Sequence, residues 1–161
     1  MRARIFFAAL TLALGASCYD PVHSDAVDAL GPEADGIPRG PRHRAGQPCT
    51  TCHGGSGPGS PELSVAGTVF AVRGTTVASA PVTVTVTDAT GATRSAATNE
   101  VGNFFITKSD WAPVFPLHVA IDGDGAHKNM VTTIGRDGGC ATCHRGQGDT
   151  TSMPGVFLRD Q

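Results

Sequence analysis

One pentapeptide pattern carries the chemistry in this sequence, and it occurs twice. Cysteine, two intervening residues, cysteine and histidine stand at residues 49–53 and again at residues 140–144. Cysteines at i and i+3 lie on one side of a helical turn, where both sulfurs can form thioethers with the two vinyl groups of one porphyrin. The next residue, a histidine, can then bind the iron as its proximal ligand. The pattern predicts two c-type haems, held covalently by Cys49, Cys52, Cys140 and Cys143, with His53 and His144 on the irons.

Paired cysteines can also build a zinc site or two redox disulfides. Both alternatives need only the cysteines, and neither explains why a histidine follows the second cysteine each time. The two pairs are also much further apart in sequence than in most compact zinc modules. In its two pentapeptides and their immediate flanks, the chain resembles the multihaem c-type cytochromes.

The distal ligand of the first iron is sought close to the first pentapeptide. His43 lies six residues before Cys49, and no methionine occurs between the N-terminal segment and Met130. We therefore expect His43 to complete the first iron, with a solvent-exposed loop histidine as the alternative. Histidine on both sides of an iron predicts a low reduction potential.

The distal ligand of the second iron has three candidates. His127 ranks first, and Met130 falls on the opposite face of the same predicted strand, so only one of them can turn toward a haem. Met153 follows His144 closely enough to loop over the distal face, although it can equally pack beside the apolar residues that follow it. His118 alternates with core residues and is expected to point outward, away from both irons.

The N-terminus has the form of an export signal. Arg2 and Arg4 precede an apolar stretch too short for a membrane span, and small residues lead up to Cys18. This end resembles a bacterial lipobox, in which the cysteine becomes the lipid-modified N-terminus, although Leu14 lies one place earlier than usual. The resemblance implies an exported protein, lipid-anchored at the periplasmic or outer face of the outer membrane. Cleavage by an ordinary signal peptidase, leaving a free thiol at Cys18, is the alternative.

Composition divides the rest of the chain. Residues 1–17 form the signal peptide, residues 18–47 the lipid anchor and a flexible tether without a fold, and residues 48–62 the first haem-binding segment. In the tether, three arginines precede the first pentapeptide and are either partners of haem propionates or part of a solvated loop: Arg39, Arg42 and Arg44. The formal charge of −2 and the absence of a basic run give no sign of a nucleic-acid partner.

A small all-β domain is predicted over residues 63–134. Valines and threonines alternate without an error over residues 82–87, which is typical of a strand with one buried face. The other predicted strands are residues 65–72, 92–98, 103–107, 115–121 and 126–134. The fold class is therefore mainly β: a small antiparallel β-sandwich flanked by two irregular haem-binding segments, the second at residues 135–161.

The order of strands and turns in this domain resembles a carboxypeptidase-regulatory-like or transthyretin-like β-sandwich. The resemblance lies in residues 65–69, the strand at 82–87, the turn at 98–102 with the strand after it, and residues 117–119. It implies a rigid scaffold rather than a reaction. The predicted core is Val82, Val84, Val86, Phe104, Ile106, Leu117, Val119 and Ile121.

The strand count bears on function, because six strands that each reverse direction return the chain to its starting end. Both haem motifs are then expected at the same pole of the sandwich, whereas a seventh strand would separate them. Electron transfer with other redox proteins or cytochromes is the leading function. The alternatives are a haem enzyme or small-ligand binder of the peroxidase kind, which needs one open iron, and a binding module built on the sandwich.

Overall fold

The computed structural model describes residues 20–79, 81–145 and 152–160. Within them lie three short helices, α1 (Pro21–Asp28), α2 (Cys49–His53) and α3 (Cys140–Cys143). The strands are β1 (Leu63–Thr68), β2 (Phe70–Val72), β3 (Thr83–Thr87), β4 (Thr93–Ala97), β5 (Asn103–Thr107), β6 (His118–Gly123), β7 (Ala126–Asn129) and β8 (Phe157–Arg159). The mainly β fold predicted from the sequence is confirmed.

The strands form antiparallel sheets joined by one parallel pair. The larger sheet has the order β4-β3-β6-β7, with Val84 opposite both Ala96 and Ile121. A second antiparallel pair joins β1 to β5, in which Thr68 is opposite Asn103. The parallel pair is β2 with β8.

The core lies between the larger sheet and the β1-β5 pair. The valines of the alternating run are almost completely buried, while Thr83 faces solvent. They pack with Val65 from β1 and with Phe104 and Ile106 from β5. Seven of the eight predicted core residues are buried, and Val119 packs against the cluster only in part.

The C-terminal strand β8 belongs to this core, although the sequence placed it in an irregular segment. Leu158 is only 2% exposed and packs in the core cluster. The ammonium of Lys128 lies 4.0 Å from the centroid of the Phe157 ring, and the guanidinium carbon of Arg73 lies 4.6 Å from it. A three-residue strand whose partner lies far away in sequence has no local signal, so it was not predicted.

The segment before the first pentapeptide also differs from the expectation that it has no fold. Asp20 accepts a hydrogen bond from the backbone N–H of His23, and Pro21 occupies the first turn, so a capped helix begins there. Further on, the Arg44 guanidinium donates to the carbonyls of Leu30 and Gly31. Residues 20–47 therefore fold against the domain rather than extend from it.

The predicted signal peptide, residues 1–17, and the predicted lipid anchor Cys18 lie outside the described residues. Across the described ranges, no helix is both long and apolar enough to cross a bilayer.

Candidate cofactor site

The two pentapeptide helices lie side by side. Each begins at its first cysteine, after Pro48 in α2 and after Gly139 in α3. Gly139 is packed so closely against the hydroxyl of Thr50 that a Cβ atom there would collide with it. Cys49 is also near enough to Cys140 to act on its thiol electrostatically. The N-terminal ends of α2 and α3 therefore meet.

The proximity of the two motifs was predicted, but the strand count behind that prediction was wrong. Seven strands, β1 to β7, separate the motifs instead of six. β1 and β2 are separated only by Val69, and the segment after β7 runs back to β1. There the backbone N–H of Ala66 donates to the carbonyl of Gly138 at 3.0 Å. This pairing brings the second motif to the first.

A glycine in β1 makes room for the second motif. A Cβ atom on Gly67 would lie 2.7 Å from Cβ of Cys140 and 2.9 Å from its Sγ. Real Cβ atoms do not approach other atoms so closely, so only glycine permits this contact. The second pentapeptide is thus seated directly on the sandwich.

Burial controls the state of the two inner thiols. It raises the pKa of the Cys140 thiol to about 12, and the neighbouring Cys49 and Asp137 add to the effect. Burial also raises the pKa of the Cys49 thiol, and the neighbouring Cys52 raises it further. Both groups are therefore neutral thiols in the folded chain at neutral pH. None of the four motif cysteines forms a disulfide.

The histidines that end the two pentapeptides share one hydrogen-bonding arrangement. Nδ1 of His53 lies 2.8 Å from the carbonyl oxygen of Pro61, and Nδ1 of His144 lies 2.6 Å from that of Pro154. A carbonyl only accepts, so each Nδ1 must carry the proton and each neutral ring keeps the lone pair on Nε2. This fixes the tautomer and ring orientation that a metal-bound histidine needs.

A cavity of 750 Å³ adjoins the first pentapeptide. Its volume is in the range of sites that hold a cofactor-sized ligand. The walls include Cys49, Cys52 and His53, together with apolar groups from the N-terminal segment, from β1 and from β5: Leu30, Pro41, Pro48, Leu63, Phe104 and Phe105. The sandwich and residues 27–48 thus enclose the cavity between them.

His43 and His53 both line this cavity, and their rings lie next to each other. The two ring centroids are 5.9 Å apart and the ring planes make an angle of 68°, an edge-to-face arrangement. Nδ1 of His43 is 3.3 Å from a carboxylate oxygen of Glu33. Two imidazoles that bind one metal ion at about 2 Å from each nitrogen have a similar separation of their rings.

The candidates for the second iron occupy different places. Both ring nitrogens of His127 are engaged, Nδ1 with Asp122 and Nε2 as acceptor from the Asn129 amide. Asp122 also raises the pKa of His127. Met130 follows β7, where its backbone N–H donates to Val119. By contrast, the backbone N–H of Met153 donates to the carbonyl of Cys143 at 3.0 Å.

Met153 is therefore the candidate that the structure brings next to the second motif, whereas the sequence favoured His127. His118 is exposed on β6, as expected. Residues 146–151, which connect His144 to Met153, lie outside the described residues.

The three arginines expected near propionates have different surroundings. Arg42 pairs with Glu100, and Arg44 is occupied by the carbonyls of Leu30 and Gly31 and by the side chain of Gln47. Arg39 and Arg44 both line the cavity, but the guanidinium of Arg44 is bonded within the loop. Of the three arginines, Arg39 therefore remains the candidate propionate partner, and Arg42 and Arg44 support the loop instead.

The donors around the first cavity fit a covalently bound haem. Two thiols lie on one helical turn, and a histidine with Nε2 available follows them. A second histidine lies next to the first, and apolar side chains line the cavity beside them. The second motif supplies the same three groups in Cys140, Cys143 and His144. Among the described residues, no group of three or more His, Cys, Asp or Glu side chains is placed to hold a bare metal ion.

No protein-family model, curated protein or solved structure matches this chain. Its function must therefore be argued from the site. Sequence reasoning missed Glu33, Pro61 and Pro154, because each reaches its histidine only through the folded chain.

Proposed function

We propose that this chain transfers electrons through two covalently bound c-type haems at the bacterial cell envelope. The single observation that supports this best is the shared arrangement of His53 and His144, each with its Nδ1 proton on a proline carbonyl. Two pentapeptides far apart in sequence have acquired the same support for Nε2, the atom that would bind iron. Bound haem supplies reversible one-electron chemistry at iron.

The two sites are proposed to differ in potential. His43 is assigned as the distal ligand at the first site, because its ring lies next to that of His53 in the wall of the cavity. Met153 is assigned at the second site, because its backbone is bonded to Cys143. Methionine raises the potential of a haem relative to histidine, so the second haem is the more easily reduced. Such a pair favours passage of an electron from the first site to the second.

The contact between α2 and α3 supports exchange of electrons within the molecule. Thr50 of α2 contacts Gly139 at the start of α3, so the attachment points of the two haems are close. The proposed partners are other redox proteins or cytochromes. The proposed location is lipid-anchored at the periplasmic or outer face of the outer membrane.

The alternative function is a zinc or disulfide site built from the four cysteines. Their arrangement does not favour it, because no three ligating side chains among the described residues are grouped around one point and the four thiols are unpaired. It would also leave the matched hydrogen bonds of His53 and His144 without a function.

Mass spectrometry of the protein, made in cells with haem-attachment machinery, tests the proposal. We expect two haems that survive denaturation, adding roughly 1.2 kDa in all. A variant with Cys49→Ala and Cys52→Ala should retain one haem, and one with Cys140→Ala and Cys143→Ala should retain the other. A chain that carries zinc or disulfides and no porphyrin would contradict the proposal.

The anchor has its own test. Cys18→Ser should move the protein from the membrane fraction to the soluble fraction, because acyl chains contribute about 0.8 kcal/mol of membrane binding per buried methylene. Unchanged membrane association in this variant would contradict lipidation at Cys18 and leave the haem proposal untouched.

A further inference from the structure

A buried polar pair inside the sandwich reaches out to the loop that carries His43. Thr68 on β1 and Asn103 on β5 are cross-strand partners, 5% and 7% exposed. The Thr68 hydroxyl donates to Oδ1 of Asn103 at 2.7 Å. Polar side chains buried in a small core weaken it unless they are bonded, so this pair needs a reason to be there.

The remaining bonds of the pair go to the loop. The Asn103 amide donates to the carbonyl of His43 at 2.9 Å and to that of Pro41 at 3.2 Å. The Thr68 hydroxyl accepts from the backbone N–H of Gly46 at 2.8 Å. The loop is therefore held at three backbone points, one before His43, one at it and one after it.

From this geometry we propose that Asn103, with Thr68, is the positioning residue for the distal histidine. It holds the backbone of residues 41–46 so that the ring of His43 stays next to the ring of His53. Glu33 holds the ring from the other side, through Nδ1. This inference rests on the proposed function, because it takes His43 as an iron ligand.

The pair has a structural consequence as well. Since both residues stand on strands of the sandwich, they tie the loop to a rigid scaffold, in addition to the bonds by which Arg44 holds it to the rest of the N-terminal segment. A ligand held in advance binds without the entropic cost of ordering its loop. The β-sandwich thus does more than separate the two motifs along the chain.

Two variants remove the proposed hold and leave the shape of the core. Asn103→Leu keeps about the volume of the amide side chain but cannot donate to the two carbonyls, and Thr68→Val removes the hydroxyl. Thr98→Val is the matched control, because Thr98 is also 5% exposed and its hydroxyl accepts from a backbone N–H, but that of Val82 rather than one of the loop.

We expect both test variants to retain two haems by mass. In each variant, one haem should show a high-spin fraction and a raised reduction potential. Added imidazole should restore the low-spin spectrum, because it replaces the displaced ligand. Exchange of the Gly46 amide hydrogen should be about tenfold faster or more. The control should match the wild type in all three readouts.

Wild-type spectra and potentials in both test variants, with two haems retained, would overturn the positioning role, and so would an equal change in Thr98→Val. If the wild-type chain carries no haem, the proposed function fails by itself. The exchange of Gly46 then still decides whether the pair holds the loop, and exchange unchanged in both variants overturns that.

Discussion

The rings of His43 and His53 lie next to each other with centroids 5.9 Å apart, although one belongs to the N-terminal segment and the other to the first pentapeptide. His43→Ala should convert one of two low-spin haems to a high-spin or water-ligated form and raise its potential, because a strong donor to ferric iron is lost. Optical and electron paramagnetic resonance spectra measure both forms. His118→Ala is the control, since His118 is exposed on β6, and a change there instead would place the distal ligand on the sandwich.

Variants at Met153 and at His127 test which residue is the distal ligand of the second haem. Met153→Ala should lower the potential of one haem and abolish the absorption that ferric iron shows with a methionine ligand, because the thioether is removed. His127→Ala should leave both unchanged, since its ring is occupied by Asp122 and Asn129. A redox titration followed optically tests the pair. The reverse pattern would restore His127 as the ligand.

The second motif contacts β1 at Gly67, so a single methyl group added there should destabilise the folded chain. In Gly67→Ala the new Cβ meets Cys140 and Phe104, and the variant should lose about 1–3 kcal/mol of unfolding free energy. Denaturant titration gives the value. Gly135→Ala is the control, because nothing lies within 4 Å of a Cβ atom at Gly135. Equal stability of the two variants would mean that α3 does not rest on β1.

The strand β8 is tested through Leu158. Leu158→Ala should lower the free energy of unfolding by about 2–5 kcal/mol, because it leaves a cavity in the main core. Val131→Ala should change it by no more than about 0.5 kcal/mol, since Val131 is 99% exposed. A small effect at Leu158 would be evidence that residues 157–159 do not belong to the sandwich.

The turn after β3 predicts an acid dependence of stability. The Thr90 hydroxyl, with the backbone N–H groups of Val114, Thr90 and Ala92, donates to the Asp88 carboxylate and lowers its pKa below 3.8. Because the folded-state pKa is the lower one, the stabilisation is present above pH 3.8 and is lost as the pH falls through the folded-state value.

Asp88→Asn should therefore cost less stability at about pH 2 than at about pH 7, as measured by urea unfolding at both. The exposed Asp25→Asn serves as control, with no comparable difference expected. An Asp88→Asn effect that is the same at both pH values would show that the carboxylate charge contributes nothing to this turn.

Features that depend on residues close together in sequence were predictable, and features that depend on residues far apart in sequence were not. The pentapeptides place two cysteines on one helical turn, and the alternating valines and threonines place one face of β3 in the core. Each pattern repeats within a few residues, and its geometry follows from the period of a helix or a strand. The sequence was therefore sufficient for the fold class, for most of the core and for the groups expected to attach haem.

Only the tertiary structure decided which of these groups lie together. Gly138 pairs with Ala66, Pro61 and Pro154 support the two proximal histidines, and Asn103 reaches the loop of His43. Each contact joins residues whose separation is set by the path of the chain rather than by a local period, so no pattern in the sequence announces it. The capped start of α1 at Asp20 and Pro21 was readable, but its packing against the domain was not, because packing depends on surfaces that exist only after the sandwich has formed.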